Sequence, residues 1–131
     1  MKIKEIASYK KLGKALKLST DKLEVIVPLE IGPRIMHLSL PGMPSVLEDE
    51  CPLEEVLPDG QVYKFYGGHR TWHSPEAFPR SYMPDNEPLA SYELFDNGIK
   101  LLQNPEPWTQ MQKSMELRFE SDGGIRVINS I

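Results

Sequence analysis

The chain has 131 residues, of which 40% are hydrophobic and 26% charged, the length and composition of one soluble globular domain. A net charge of −4 argues against a nucleic-acid partner, which calls for a basic face, and no apolar run is long enough for a membrane-spanning helix. The lone cysteine, Cys51, has no partner for an internal disulfide, and the start, Met-Lys-Ile-Lys-Glu-Ile, lacks the apolar stretch of a signal peptide. These features predict a cytoplasmic protein with no membrane partner.

Residues 14–19 and 22–28 read as two strands around Thr20-Asp21, with Leu16 and Leu18 flanking Lys17, and Leu23, Val25 and Val27 alternating with Glu24 and Ile26. Gly32-Pro33 breaks the backbone, since glycine is free to take positive φ and proline fixes its own. A strand over 34–40 follows, with Met36, Leu38 and Leu40 on one face and Ile35, His37 and Ser39 on the other. Arg34 shares the parity of the apolar face, so its guanidinium must either reach water at the strand end or find a buried partner. Residues 41–60 carry four prolines and the acids Glu48, Asp49, Glu50, Glu54 and Glu55. They read as a loop excursion with a short strand at 45–47, a helical turn at 53–57 and a solvated acidic face. Residues 61–66 return to extended structure.

Past this point, 84–88 reads as a rigid turn, and Asn97-Gly98 marks a hairpin between strands at 89–95 and 99–103. Residues 109–121 alternate over a strand, with Met111, Met115, Leu117 and Phe119 on one face, Lys113 among them, and only polar side chains on the other. That pattern belongs to an antiparallel sheet with one wet side. Asp122-Gly123-Gly124 turns the chain into a last strand over 125–131. The predicted class is all-β, an antiparallel β-sandwich forming a single domain over 1–131 without a long helix. Ile131 falls in mid-strand. The expectation is therefore an incomplete domain, the front part of a longer protein, or a homodimer that covers the C-terminal edge strand.

The chemically dense stretch is 66–79, Tyr-Gly-Gly-His-Arg-Thr-Trp-His-Ser-Pro-Glu-Ala-Phe-Pro. His69 and His73, with Glu76, superficially match a metal pair. That spacing presents two rings to one ion only on a helix, and Gly67-Gly68 and Pro75 oppose one. On a strand the rings would stand roughly 13 Å apart. No metal is therefore expected. Two uses of the stretch remain. An imidazole, a carboxylate and a guanidinium could move protons on a polyol, or the indole of Trp72 could stack on a sugar while Arg70, His69 and Glu76 meet its hydroxyls. The structural alternative is core aromatics, a glycine bulge and satisfied histidines.

The order strand–Gly-Pro-Arg-Ile–strand, a loop excursion, Gly-Gly-His-Arg-x-Trp-x-x-Pro-Glu and Asn-Gly hairpin strands resembles the front half of the galactose mutarotase-like proteins. These are the aldose 1-epimerases and their relatives, and the resemblance runs from about residue 16 to 131. It implies a large antiparallel supersandwich that binds a monosaccharide and, as an isomerase, interconverts anomers by histidine and glutamate acid–base catalysis without a cofactor. Arg34, His69, Arg70, Trp72 and Glu76 would be substrate-binding, and Gly67 and Gly68 would shape the loop. The family's catalysts generally come from later strands, so no catalytic residue is assigned. The expected function is carbohydrate binding by a member lacking full catalytic machinery. The alternatives are an epimerase completed by dimerisation, a cupin-like metal protein and a non-enzymatic interaction module.

Overall fold

A computed structural model describes residues 1–82 and 86–131. Twelve strands run in chain order: β1 (Lys2–Ile6), β2 (Ala15–Ser19), β3 (Glu24–Pro28), β4 (Arg34–Ile35), β5 (His37–Ser39), β6 (Cys51–Val56), β7 (Val62–Tyr66), β8 (His69–Arg70), β9 (Ser91–Phe95), β10 (Gly98–Leu102), β11 (Ser114–Phe119) and β12 (Ile125–Ser130). Every pairing among them is antiparallel. Among the described residues there is no helix, and so none long and apolar enough to cross a membrane.

Two four-stranded sheets, ordered β1-β2-β3-β5 and β12-β11-β10-β9, form the layers of a sandwich-like core. Pairing sets Leu16 against Val27 and Leu18 against Val25 in one sheet, and Ile99 against Leu117 and Leu101 against Met115 in the other. Directly opposed residues share a face, so each sheet presents one apolar surface. These eight side chains join Ile35 and Phe119 in a single buried cluster. Burying each contributes about 1.5–3 kcal/mol, which makes this cluster the main source of stability. Glu116 and Arg118 occupy the opposite, wetter face of β11, but the strand expected over 109–121 is only Ser114–Phe119: Thr109 lies in a turn, Gln110 is left-handed, and Met111 and Lys113 precede the strand.

The β2–β3 and β9–β10 hairpins lie where the alternation and the Asn-Gly cue put them. Three expectations in the first half of the chain need correction. Residues 34–40 are not one strand: β4 leaves to pair with β8, β5 stays beside β3, and Leu40 is 60% exposed at the turn that follows. Residues 45–47 form no strand; Val46 instead donates its amide to the Leu38 carbonyl and its side chain is exposed. The helical turn expected at 53–57 is strand β6, folded onto β7 through a turn at Pro58-Asp59-Gly60. The Asp59 carboxylate accepts the Gln61 amide, and Gly60 donates to Leu57. The charged start of the chain, which the alternation left unassigned, is strand β1, paired with β2 along its whole length. Of the turn expected at 84–88, Pro84 and Asp85 lie outside the described residues.

The acidic face is divided. Glu54 and Glu55 are exposed, whereas Asp49 holds Lys10 at 2.6 Å and accepts from the Tyr9 hydroxyl at 2.8 Å. Burial and the Asp49 carboxylate together push the Tyr9 phenol up to about 12.

Candidate functional site

β7 delivers the chain into the 66–79 stretch through three consecutive left-handed residues, Tyr66, Gly67 and Gly68. Side chains rarely adopt that conformation, and at the two glycines there is also no room for one. A Cβ on Gly67 would lie 2.3 Å from the Glu48 carbonyl oxygen, and one on Gly68 would lie 2.4 Å from that of Ile35. The turn therefore packs backbone against backbone, and Gly68 donates its amide to Glu48 at 2.6 Å. The chain then pairs as β8 with β4, Arg34 opposite Arg70 and Ile35 opposite His69.

Arg34 lies beneath this turn. It is fully buried and donates through Nη1 to the carbonyls of Phe65 and Gly67, both at 2.6 Å. Its guanidinium also stands 5.8 Å from the Tyr66 ring centroid. Arg34 thus takes the buried-partner solution of the two open to it. Its role here is to hold the turn in place, and it presents no surface to a ligand.

Above the turn, five aromatic rings meet edge to face. Tyr82 is the hub, with Tyr63, Phe65, Trp72 and Phe78 at centroid distances of 5.3 to 6.1 Å. Such pairs add roughly 0.5–1.5 kcal/mol each beyond area burial. Arg70 is embedded in the same cluster. Its guanidinium is 4.1 Å from the Trp72 centroid and 5.6 Å from that of Phe65, and it donates to the Tyr63 hydroxyl. One face of the indole is thereby covered by a cation rather than left open for a pyranose. Glu76 is exposed and accepts from the Tyr82 hydroxyl, which holds that phenol above its ordinary value.

Below Trp72 lies a buried ionic cluster that sequence reasoning did not assemble. Glu106, with no exposed surface, lies 2.8 Å from Lys113 Nζ and 3.3 Å from His73 Nε2, both also buried. The Thr109 hydroxyl donates to it at 2.6 Å, and the Gln103 amide approaches at 3.5 Å. Burial pushes the Glu106 carboxyl up, but the Lys113 and Thr109 hydrogen bonds and the charges of Lys113 and His73 outweigh it. The net position is below the ordinary carboxylate value. Lys113 Nζ also stands 5.8 Å from the Trp72 centroid, joining this cluster to the aromatic one.

Several buried polar atoms in this region have neither a hydrogen bond nor an ion pair among the described residues: His69 Nε2, Trp72 Nε1, His73 Nδ1 and Gln103 Oε1. Buried polar groups are satisfied in the great majority of cases, so four orphans in neighbouring segments require an explanation. The structure therefore brings Arg70 and Trp72 together, leaves His69 half-buried next to Arg70 on β8, and places Glu76 on the exposed rim. It puts Arg34 underneath as support, and adds His73, Gln103, Glu106 and Lys113. The sequence signal for the added set was Lys113 on an apolar strand face, because a buried cation calls for a buried anion. Among the described residues, no three His, Cys, Asp or Glu side chains are grouped to hold a metal. Two clefts reach the stretch, and each does so at Tyr66, the larger with a volume of about 720 Å³. No protein-family model matches the chain, and neither a curated protein nor a solved structure does.

Proposed function

We propose that the region from His69 to Tyr82 is the recognition surface of a carbohydrate-binding β-sandwich of the aldose 1-epimerase type, with a monosaccharide as ligand. The observation that carries this reading is the pair of unpartnered atoms on half-buried residues, His69 Nε2 and Trp72 Nε1. They combine a fixed donor, the indole N–H, with an imidazole nitrogen that can donate or accept. A hydroxyl both donates and accepts, so vicinal sugar hydroxyls match such a mixture better than an anion or a cation does. Arg70 supplies further donors from within the ring cluster, and Glu76 supplies acceptors at the rim. Because Arg70 covers one indole face, recognition proceeds through the Trp72 N–H and the guanidinium rather than by open-face stacking. The Gly-Gly-His-Arg-x-Trp-x-x-Pro-Glu resemblance adds support for a sugar in particular.

The test is a titration of galactose and glucose followed by tryptophan fluorescence, with Trp72→Phe as the control and Trp108 as the remaining reporter. A saturable change in the wild type that is lost in Trp72→Phe is expected. Unchanged emission up to high millimolar sugar would overturn the reading.

One observation favours turnover as a second reading. Glu106 lies 3.3 Å from His73 Nε2, so an imidazole and a carboxylate, the two groups of acid–base catalysis, stand paired beneath the same loop. Polarimetry of freshly dissolved α-glucose checks it: a relaxation faster than buffer alone supports epimerisation, and a rate equal to buffer excludes it for that sugar.

A further inference from the structure

The two layers of the sandwich open on a common side. β1 is the outermost strand of one sheet and β9 of the other, and Ile6, Ala7 and Tyr92 line a single cleft of about 480 Å³ between them. On β9, Tyr92 and Leu94 stand opposite Leu101 and Ile99, hence on the core-facing side, yet they are 42% and 43% exposed. On β1, Ile3 stands opposite the buried Leu18 and is 42% exposed. The apolar face of each sheet thus continues onto its edge strand, through Ile3 on β1 and Tyr92 and Leu94 on β9, and loses its cover there; Glu5, opposite Leu16, is the one charge on the β1 side. Two neighbouring edges with apolar faces form a template for further strands.

The opposite faces of these edges carry charges that discriminate between partners. Lys2 and Lys4 project from β1, and Glu93 from β9, all three exposed. Pairing β1 with another β1 would set lysine against lysine, and pairing β9 with another β9 would set Glu93 against Glu93. Like charges placed opposite across a ladder are destabilising. Pairing β1 antiparallel to β9 with Lys4 opposite Glu93 instead sets Ile3 opposite Leu94 and Glu5 opposite Tyr92.

We propose that this chain associates with a second copy of itself, β1 of each protomer adding to β9 of the other. A two-fold axis between the layers forms the contact twice, as a closed dimer requires. Each four-stranded sheet then runs into the opposite sheet of the second copy, giving two eight-stranded layers. The residues involved are separate from the ligand surface, so this inference does not depend on the carbohydrate reading.

Sedimentation equilibrium across the micromolar range tests it. The wild type is expected to be a dimer, and Lys4→Glu or Glu93→Lys alone should weaken it roughly tenfold, because each reversal acts at two symmetric contacts. Both positions are exposed, and circular dichroism with urea midpoints verifies that each variant keeps its fold. The double variant Lys4→Glu/Glu93→Lys, and an equimolar mixture of the two single variants, should each restore association. A wild-type monomer at every concentration would overturn the proposal. A dimer indifferent to both single reversals would do so as well, since that is the signature of like-with-like edge pairing.

Discussion

Replacing Lys113 with methionine keeps most of the side-chain volume and removes the ammonium that faces Glu106 at 2.8 Å. Both groups are buried, with Lys113 at 1% and Glu106 at 0% exposure, so the carboxylate cannot turn to water. It retains the Thr109 hydroxyl at 2.6 Å and His73 at 3.3 Å, but its full counter-charge is gone. Breaking a buried pair from one side costs about 3–5 kcal/mol, a large fraction of the roughly 5–15 kcal/mol that holds a domain together. For a domain of this size the melting temperature should fall by about 10–20 °C.

The pH dependence has a defined sign. The folded-state carboxyl of Glu106 lies below its ordinary value of 4.5. Its contribution to stability is therefore fully present above about pH 4.5 and disappears as pH falls through the lower folded-state value. In Lys113→Met burial remains while the Lys113 hydrogen bond and charge are gone, so the folded-state carboxyl moves up and less stability is lost on acidification than in the wild type. Urea unfolding followed by circular dichroism at several pH values measures both effects. The double variant Glu106→Gln/Lys113→Met should recover most of the stability, because it leaves no uncompensated charge. A Lys113→Met cost below about 0.5 kcal/mol, or a double variant no more stable than the single, would refute the reasoning.

Three further outcomes concern left-handed glycines and the support of the turn at Tyr66–Gly68. Gly68→Ala combines a φ of +76° with a Cβ 2.4 Å from the Ile35 carbonyl, and should cost about 2–4 kcal/mol in thermal unfolding. Gly42→Ala, with a φ of +73° and nothing within 4 Å of its Cβ, carries only the backbone strain and should cost about 1 kcal/mol. Arg34→Met withdraws a charged donor from the Phe65 and Gly67 carbonyls and should cost about 2–4 kcal/mol. Because Arg34 supports the turn from below, that variant should also shift the tryptophan emission. An unchanged spectrum would contradict a supporting role.

How much of this architecture could be read from the sequence depended on the range of the interactions involved. The β9–β10 hairpin is encoded locally, by Asn97-Gly98 between alternating runs, and β11 by its period of two. β1 was hidden because Lys2, Lys4 and Glu5 interrupt any apolar pattern; its place is set by pairing with β2. β6 begins Cys51-Pro52 and carries adjacent acids, features of a loop, and it is a strand only because the Asp59-Gly60 turn folds it onto β7. In the site, the glycine pair and Arg70-x-Trp72 were conspicuous as residue types. Glu106 was not, since it sits between Pro105 and Pro107 and is buried by contacts with His73, distant in sequence, and with Lys113 across the irregular 103–113 connection. Nor could alternation alone decide whether Arg34 faced water or the Phe65 and Gly67 carbonyls.

The central claim is that the unpartnered polar atoms around Trp72 await a sugar. The chain has two tryptophans, so a ¹⁵N-labelled sample gives two indole N–H resonances, one from Trp72 and one from Trp108. Trp72 Nε1 is buried without a partner, while Trp108 is 43% exposed and serves as the internal reference. On titration with galactose or glucose, the Trp72 indole resonance should move and saturate while that of Trp108 stays in place. Movement of neither resonance at high millimolar sugar, or equal drift of both, would contradict the claim.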